Sequence, residues 1–206
     1  MVATFSSTSI LPLQSKWPLA ASCGPVWLTA SKVLLRVWAP HAETVRIEFE
    51  KGVSVELVRE PGGPGFWSVE VGGLKTGDRY RIALTSSWND CFHEEGEVLV
   101  RRDPYAREAD FDSAWCVLTD THFDWSGFSP PFYNELIIYE LHVGSFHPRC
   151  EGKSDFTATA DAFPYIKDLG FNAVQLMPVT EFGGIWGFNP RQLLSVHGKW
   201  GSVREL

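Results

Sequence analysis

Two dense apolar runs enclose a segment of different rhythm between Glu135 and Val179, and no other stretch restricts the fold as tightly. Residues 135–143 read ELIIYELHV and residues 171–179 read FNAVQLMPV. Both have strand length and are apolar enough to be buried on both faces. Between them Phe156, Ala160, Phe163, Ile166 and Leu169 recur at intervals of three or four, which is the spacing of an amphipathic helix. Ser154 or Asp155 is placed to cap its start and Gly170 its end. Pro164 falls inside the pattern, where a missing N–H disturbs the helical ladder. Strand, helix and strand within about 45 residues make a βαβ unit, and such units belong to parallel sheets.

The preceding residues keep a different period. VLLRVWAP, TVRIEFE, VSVELV, FWSVEV and RYRIAL each place apolar side chains at about every second position, and Pro40, the run from Pro61 to Gly65 and Gly72-Gly73 separate them. Short alternating strands punctuated in this way predict an all-β, immunoglobulin-like antiparallel sandwich over residues 32–102. Residues 103–135, with no periodicity and a Pro-Pro pair, are expected to be a linker. The remaining residues, 136–206, are then an α/β segment. For residues 1–31, which hold no acid, one Lys and many Ser and Thr, two readings stand: a targeting peptide or a disordered arm. At the other end Ser202 and Glu205 have capping-box spacing. A helix opening there needs roughly ten further residues, so the chain reads as cut at Leu206.

Composition limits the partners. The chain is 44% hydrophobic and 21% charged, a globular balance, and 18 basic against 25 acidic residues give a net charge of −7. That charge repels phosphate backbones and anionic lipid, and no basic stripe overrides it, so neither nucleic acid nor membrane is expected as a partner. No apolar run reaches the roughly 18 residues of a membrane span. Cys23, Cys91, Cys116 and Cys150 are scattered without a C-x-x-C pair, so they read as buried thiols in a reducing compartment, cytoplasm or plastid. No metal or other cofactor is expected.

The stretches IIYELHVGSF, YIKDLGFNAVQLMPVTEFGG and WGFNPRQLLSVHGKWGS resemble the opening of the catalytic barrel in the α-amylase superfamily of glycoside hydrolases. The resemblance is greatest to the α-1,4-glucan branching enzymes, with trehalose-releasing and debranching hydrolases close behind. RVWAPHAETVRI, GFWSVEVGGLKTGDRYRI and DPYARE resemble the sandwich module that precedes that barrel. The resemblance implies a (β/α)₈ barrel and retaining chemistry on an α-1,4 bond by two opposed carboxyl groups. It also implies an α-glucan partner: glycogen, starch or malto-oligosaccharide. The carboxylates of the family come from later strands and have no counterpart in these 206 residues, so no catalytic residue is assigned. A non-catalytic glucan-binding protein and an inactive fragment are the other readings.

The resemblance places the aromatic of WGFNP on the floor of the sugar site. Here that position is Phe188, which keeps a stacking face but lacks the hydroxyl of the Tyr often found there. Phe188 is expected to face substrate, with loop packing as the alternative. Trp186 has the same two readings, and Asn189 either bonds a sugar hydroxyl or holds its own turn. Glu140 and Glu181 would form the acid/base pair on residue type alone. Against the family they read as structural hydrogen-bonding groups, and His142 as a satisfied barrel histidine. Trp38 and Trp67 lie in strand patterns and are expected to be buried. The loop that grips glucan in some sandwich modules carries an Asn and a Trp. The corresponding EFEKGVSVELVREPGGPG has neither, so independent glucan binding by the sandwich is not expected.

Overall fold

A computed structural model describes residues 23–62, 65–87, 94–110, 112–120, 122–125, 127–146 and 152–206. The first part is a sandwich of antiparallel strands: β1 (Gly24–Thr29), β2 (Lys32–Trp38), β3 (Ala42–Phe49), β4 (Ser54–Glu56), β5 (Val58–Arg59), β6 (Phe66–Gly72), β7 (Arg79–Ser86), β8 (Leu99–Arg101) and β9 (Cys116–Val117). One sheet has the order β1-β2-β6-β5. The other has the order β4-β3-β7-β8, with β9 also paired to β7. Period-two alternation decides which face is inside. Val33, Leu35 and Val37 of β2 meet Val45, Ile47 and Phe49 of β3, with Trp67, Tyr80 and Ile82, in one buried core.

The sandwich extends past both boundaries expected from alternation. β1 lies within the stretch read as an arm and pairs antiparallel with β2, Gly24 opposite Arg36 and Trp27 opposite Val33. Residues 1–22 lie outside the described residues, as do Cys91 and Cys150. Part of the expected linker is core as well. Ala106, Ala109, Cys116 and Leu118 are buried in the sandwich, and Asp103 is sealed beneath them. Asp103 accepts from the Tyr80 hydroxyl at 2.8 Å and from the Tyr105 backbone N–H at 2.9 Å. These residues escape a periodicity search because polar-to-backbone bonds, rather than alternating apolar side chains, hold them. Burial pushes the Cys116 thiol up to about 12. Trp67 is buried as expected, but Trp38, at the end of β2, is 57% exposed. It follows the inward Val37, so alternation puts it on the outer face with Leu34 and Arg36.

The second part begins with a 3-10 turn at Tyr133–Glu135 and continues as β10 (Ile138–Leu141), α1 (Val143–Phe146), α2 (Asp155–Asp161), α3 (Phe163–Asp168), β11 (Ala173–Leu176), β12 (Thr180–Phe182) and β13 (Pro190–Val196). β10 and β11 pair in parallel, Ile138 opposite Ala173 and Leu141 opposite Leu176. This is the βαβ unit read from the flanking apolar runs. The helix is broken in two at Ala162. Pro164 occupies the first turn of α3, where its missing N–H costs nothing, whereas one continuous helix would leave a carbonyl unpaired at this point. Ser154 does cap the start: its Oγ accepts from the Thr157 N–H at 3.2 Å. Gly170 closes the end at φ +97 with its N–H on the Lys167 carbonyl.

Breaking the helix changes which residues it buries. Phe156 and Ile166 enter the second core with Leu141, Val143, Phe182, Val196 and Trp200. Ala160, Phe163 and Leu169, expected on the same stripe, face solvent. β10 is also not covered on both faces, since Ile137 and Ile138 are about half exposed. Half of the capping box at Ser202 is formed: Glu205 Oε2 accepts from the Ser202 N–H at 2.7 Å and from its hydroxyl at 2.8 Å, while residues 203–205 make a turn and not the helix expected there.

Candidate glucan-contact loop

The span between β11 and β13 is built as a hairpin. Thr180 lies opposite Val196, Glu181 opposite Gln192 and Phe182 opposite Pro190, with register shifts between these pairs. β13 was not expected from the sequence, because PRQLLSV begins with a proline and lacks clean alternation. Its register shifts let Gln192, Ser195 and Val196 turn inward together.

Residues 183–189 bridge the two strands. The Gly183 N–H donates to the Asn189 carbonyl at 2.8 Å, which fixes the mouth of the loop. Gly187 has φ +87, and a Cβ there would sit 2.7 Å from the Pro178 carbonyl oxygen. Only glycine lets this loop lie so close to the end of β11. With the backbone held down, the side chains between its anchors stand out. Phe188 is 74% exposed, Trp186 54% and Ile185 70%. Asn189 is exposed too, and its amide lies beside Gly183. The structure thus places Trp186, Phe188 and Asn189 on one short loop. Sequence reasoning did not pick out Ile185, an apolar side chain on the same projecting loop.

An aromatic and imidazole cluster supports the loop. The Trp186 ring lies 5.2 Å from His142, and His142 lies 5.0 Å edge-on to Trp200. Trp200 also meets His197 at 4.8 Å, Phe182 at 5.2 Å and Phe156 at 6.2 Å. Phe182 stacks on His197 at 4.0 Å. Gly144 leaves room for the Trp200 indole, which any Cβ at that position would strike.

Glu181 is the charged centre of this layer and is 0% exposed. Its Oε1 accepts from Arg191 Nη2 at 2.5 Å, its Oε2 lies 3.0 Å from His197 Nδ1, and Arg102 Nη1 stands 3.9 Å away. Burial pushes His197 below its ordinary value, against the raising pull of Glu181, while Lys199 and Arg191 add to the lowering. Arg102 is itself held by the Ser113 and Asp110 carbonyls at 2.7 and 2.6 Å. The Glu181 carboxylate therefore ties the hairpin to the sandwich. The Gln192 amide reinforces that seam by donating to the Asp103 carbonyl at 2.8 Å, and the Ser195 hydroxyl by donating to the Ala106 carbonyl at 2.7 Å.

The two carboxylates considered as an acid/base pair have different environments. Glu140 is exposed on β10, where it accepts weakly from Gln175 at 3.4 Å. Glu181 is sealed among cations. His142 does not share the Glu140 face, because β10 ends at Leu141 and the chain turns into α1. The His142 ring is buried, its Nδ1 lies 2.9 Å from the Ser145 hydroxyl, and its Nε2 has no hydrogen-bond partner among the described residues. Among the described residues no group of three or more His, Cys, Asp or Glu could hold a metal ion, and no helix is long and apolar enough to cross a membrane.

Comparison with known proteins follows this division. Residues 22–106 match the family described as carbohydrate-binding module 48 (isoamylase N-terminal domain). A 1,4-alpha-glucan branching enzyme, GlgB 2, of Xanthomonas campestris pv. campestris is 30% identical over 189 residues, which are 82% of this chain and 24% of that enzyme. The 1,4-alpha-glucan branching enzyme GlgB of Kitasatospora aureofaciens is 33% identical over 167 residues, 74% of this chain and 20% of the enzyme. Among solved structures, a Salmonella typhimurium protein assigned as an alpha amylase superposes with a TM-score of 0.73 at 26% identity. That match covers 89% of this chain and 30% of the other. Pullulanase from Bacillus acidopullulyticus gives 0.64 at 25% identity, covering 86% and 25%. The chain spans about a quarter of the length of the relatives it matches.

Proposed function

We propose that this chain, whose residues 22–106 form a module of the carbohydrate-binding module 48 family, is the N-terminal part of a 1,4-α-glucan branching-type enzyme of the α-amylase superfamily. Its role in that enzyme is to hold α-glucan, whether glycogen, starch or malto-oligosaccharide, beside a catalytic centre built by other residues.

The observation that carries this reading is the loop 183–189. It projects Trp186 and Phe188 into water from a backbone clamped at Gly183–Asn189 and pressed onto Pro178. Water-exposed aromatic rings are costly to a protein that does not use them. Flat rings held in place bind the C–H faces of sugars through dispersion, with little loss of conformational entropy. Phe188 supplies such a face without a hydroxyl, and Trp186 supplies a second. Asn189 serves chiefly as the turn anchor through its carbonyl, with its exposed amide free to meet a sugar hydroxyl. Retaining cleavage needs two carboxyl groups about 5–5.5 Å apart on either side of the bond. Glu181 cannot supply one, because it is enclosed and committed to Arg191 and His197. Glu140 is exposed but is separated from Glu181 in environment and role. These residues thus support binding and leave bond exchange to groups outside them.

Electrophoresis through a gel containing amylopectin tests the reading. The protein is expected to be retarded, and the Trp186→Ala/Phe188→Ala variant to lose most of the retardation. Equal retardation of both, or none for the unaltered protein, contradicts it. A debranching hydrolase of the same superfamily is the second reading, favoured by the structural similarity to pullulanase. Both readings use the same loop and the same glucan.

A further inference from the structure

We propose that His142 is a further sugar-contacting residue, its Nε2 forming a hydrogen bond to a glucan hydroxyl beside Trp186. This rests on the glucan reading of the loop and adds a polar contact to its aromatic ones. His142 sits immediately after β10, at the same end of the parallel strand pair from which β11 runs toward the loop. Its ring is 9% exposed, and Nε2 is buried without a hydrogen-bond partner among the described residues. Buried polar groups are otherwise paired almost without exception, so an orphan of this kind marks a partner that binds there.

Two neighbouring rings enclose the imidazole, and they differ in one respect. Trp200 is buried at the centre of the second core, whereas Trp186 is 54% exposed and belongs to the glycine-rich loop. Of these two rings, Trp186 is the one that borders water. The half-exposed Trp186 side chain can turn about its own bonds while the backbone stays anchored at Gly183, Gly187 and Asn189.

The chemistry of the missing partner follows from the other ring nitrogen. Nδ1 lies 2.9 Å from the Ser145 hydroxyl, which can donate or accept. If Nδ1 accepts, Nε2 carries the proton and needs an acceptor; if Nδ1 donates, Nε2 needs a donor. A sugar hydroxyl satisfies either tautomer, while a carboxylate or an ammonium satisfies only one. The adjoining tryptophan face supplies the stacking that a pyranose ring requires.

The test uses protein labelled with ¹⁵N in histidine and tryptophan, titrated with maltoheptaose. The expected result is that the His142 Nε2 resonance and the Trp186 indole resonance shift together along one binding curve. His142→Phe keeps an aromatic ring against Trp200 but removes the nitrogen, and it is expected to raise Kd for maltoheptaose about tenfold while leaving the Tm equal or higher. A purely packing role would move the Tm and leave Kd unchanged, which overturns the proposal. It is also overturned if the Trp186 signal shifts and His142 Nε2 does not, since glucan then binds the loop without touching the imidazole and a trapped water is the missing partner. If neither signal moves, the glucan reading of the loop fails with it.

Discussion

At the scale of single residues the molecule sets projecting rings apart from an enclosed charge. Trp186 and Phe188 are held outward, while Glu181 is drawn inward, where Arg191 and Arg102 balance its charge and His197 bonds it as a neutral imidazole. Glu181→Ala removes the buried carboxylate that Arg191 and His197 bond and leaves a cavity at the centre of this layer. Its expected cost is about 3 kcal/mol, the lower end for breaking a buried pair because Arg191 keeps access to water; urea denaturation reads it. His197 gives a pH signature. Burial holds it below its ordinary value of 6.5, so the folded protein keeps it neutral while the unfolded chain takes up a proton. The stability from this group is complete above pH 6.5 and falls as the pH drops through that value and below. Melting curves of the protein and of His197→Gln should therefore diverge at neutral pH and converge toward pH 5. Parallel curves would show that His197 does not titrate on unfolding. Cys116, with its thiol pushed up to about 12, should resist iodoacetamide at pH 8 until the protein is denatured. Peptide-resolved mass spectrometry checks this.

At the scale of elements, legibility followed the physical origin of each one. The sandwich strands and the β10–β11 pair were readable because alternation and dense apolar runs report directly on which faces are buried. The Ser154 cap was readable for a similar reason, since a hydroxyl before an apolar stripe has one local use. The split between α2 and α3 was only half legible: Pro164 announced a disturbance, but not that Phe163 and Leu169 would swing outward. β1, the Asp103–Leu118 stretch and β13 were missed, because backbone pairing and single polar bonds hold them and leave no period in the sequence. Trp186, Phe188 and Asn189 could be named from the resemblance alone, whereas the unpaired nitrogen of His142 could be found only in three dimensions. The loop itself depends on Gly187. Gly187→Ala would force a positive φ on a residue with a Cβ and press it against the Pro178 carbonyl. The expected loss is about 1–3 kcal/mol, together with weaker retardation in the amylopectin gel. An unchanged gel shift would mean that the loop does not need its present course to bind.

At the scale of the whole molecule the two parts differ in how their apolar surface is covered. The sandwich closes on itself around a single core, from Val33 to Leu118. The α/β part instead exposes Ile137, Ile138, Phe163 and Leu169, and Phe128 and Phe132 are exposed just before it. Exposed apolar surface and few covering layers lower the free energy of local opening. Limited proteolysis of the 206-residue chain should therefore cut the α/β part first and leave a sandwich fragment. The seam through Arg102, Gln192 and Ser195 opposes that separation, so Gln192→Ala/Ser195→Ala should speed the cleavage, and simultaneous loss of both parts would contradict the difference. The central proposal is that the chain holds glucan and that its described residues present no opposed carboxylate pair to exchange glucan bonds. Incubating the purified 206-residue chain with amylose and following the iodine spectrum tests it most directly. The account predicts no change in absorbance over hours at saturating glucan, and a steady fall that Trp186→Ala/Phe188→Ala abolishes would contradict it.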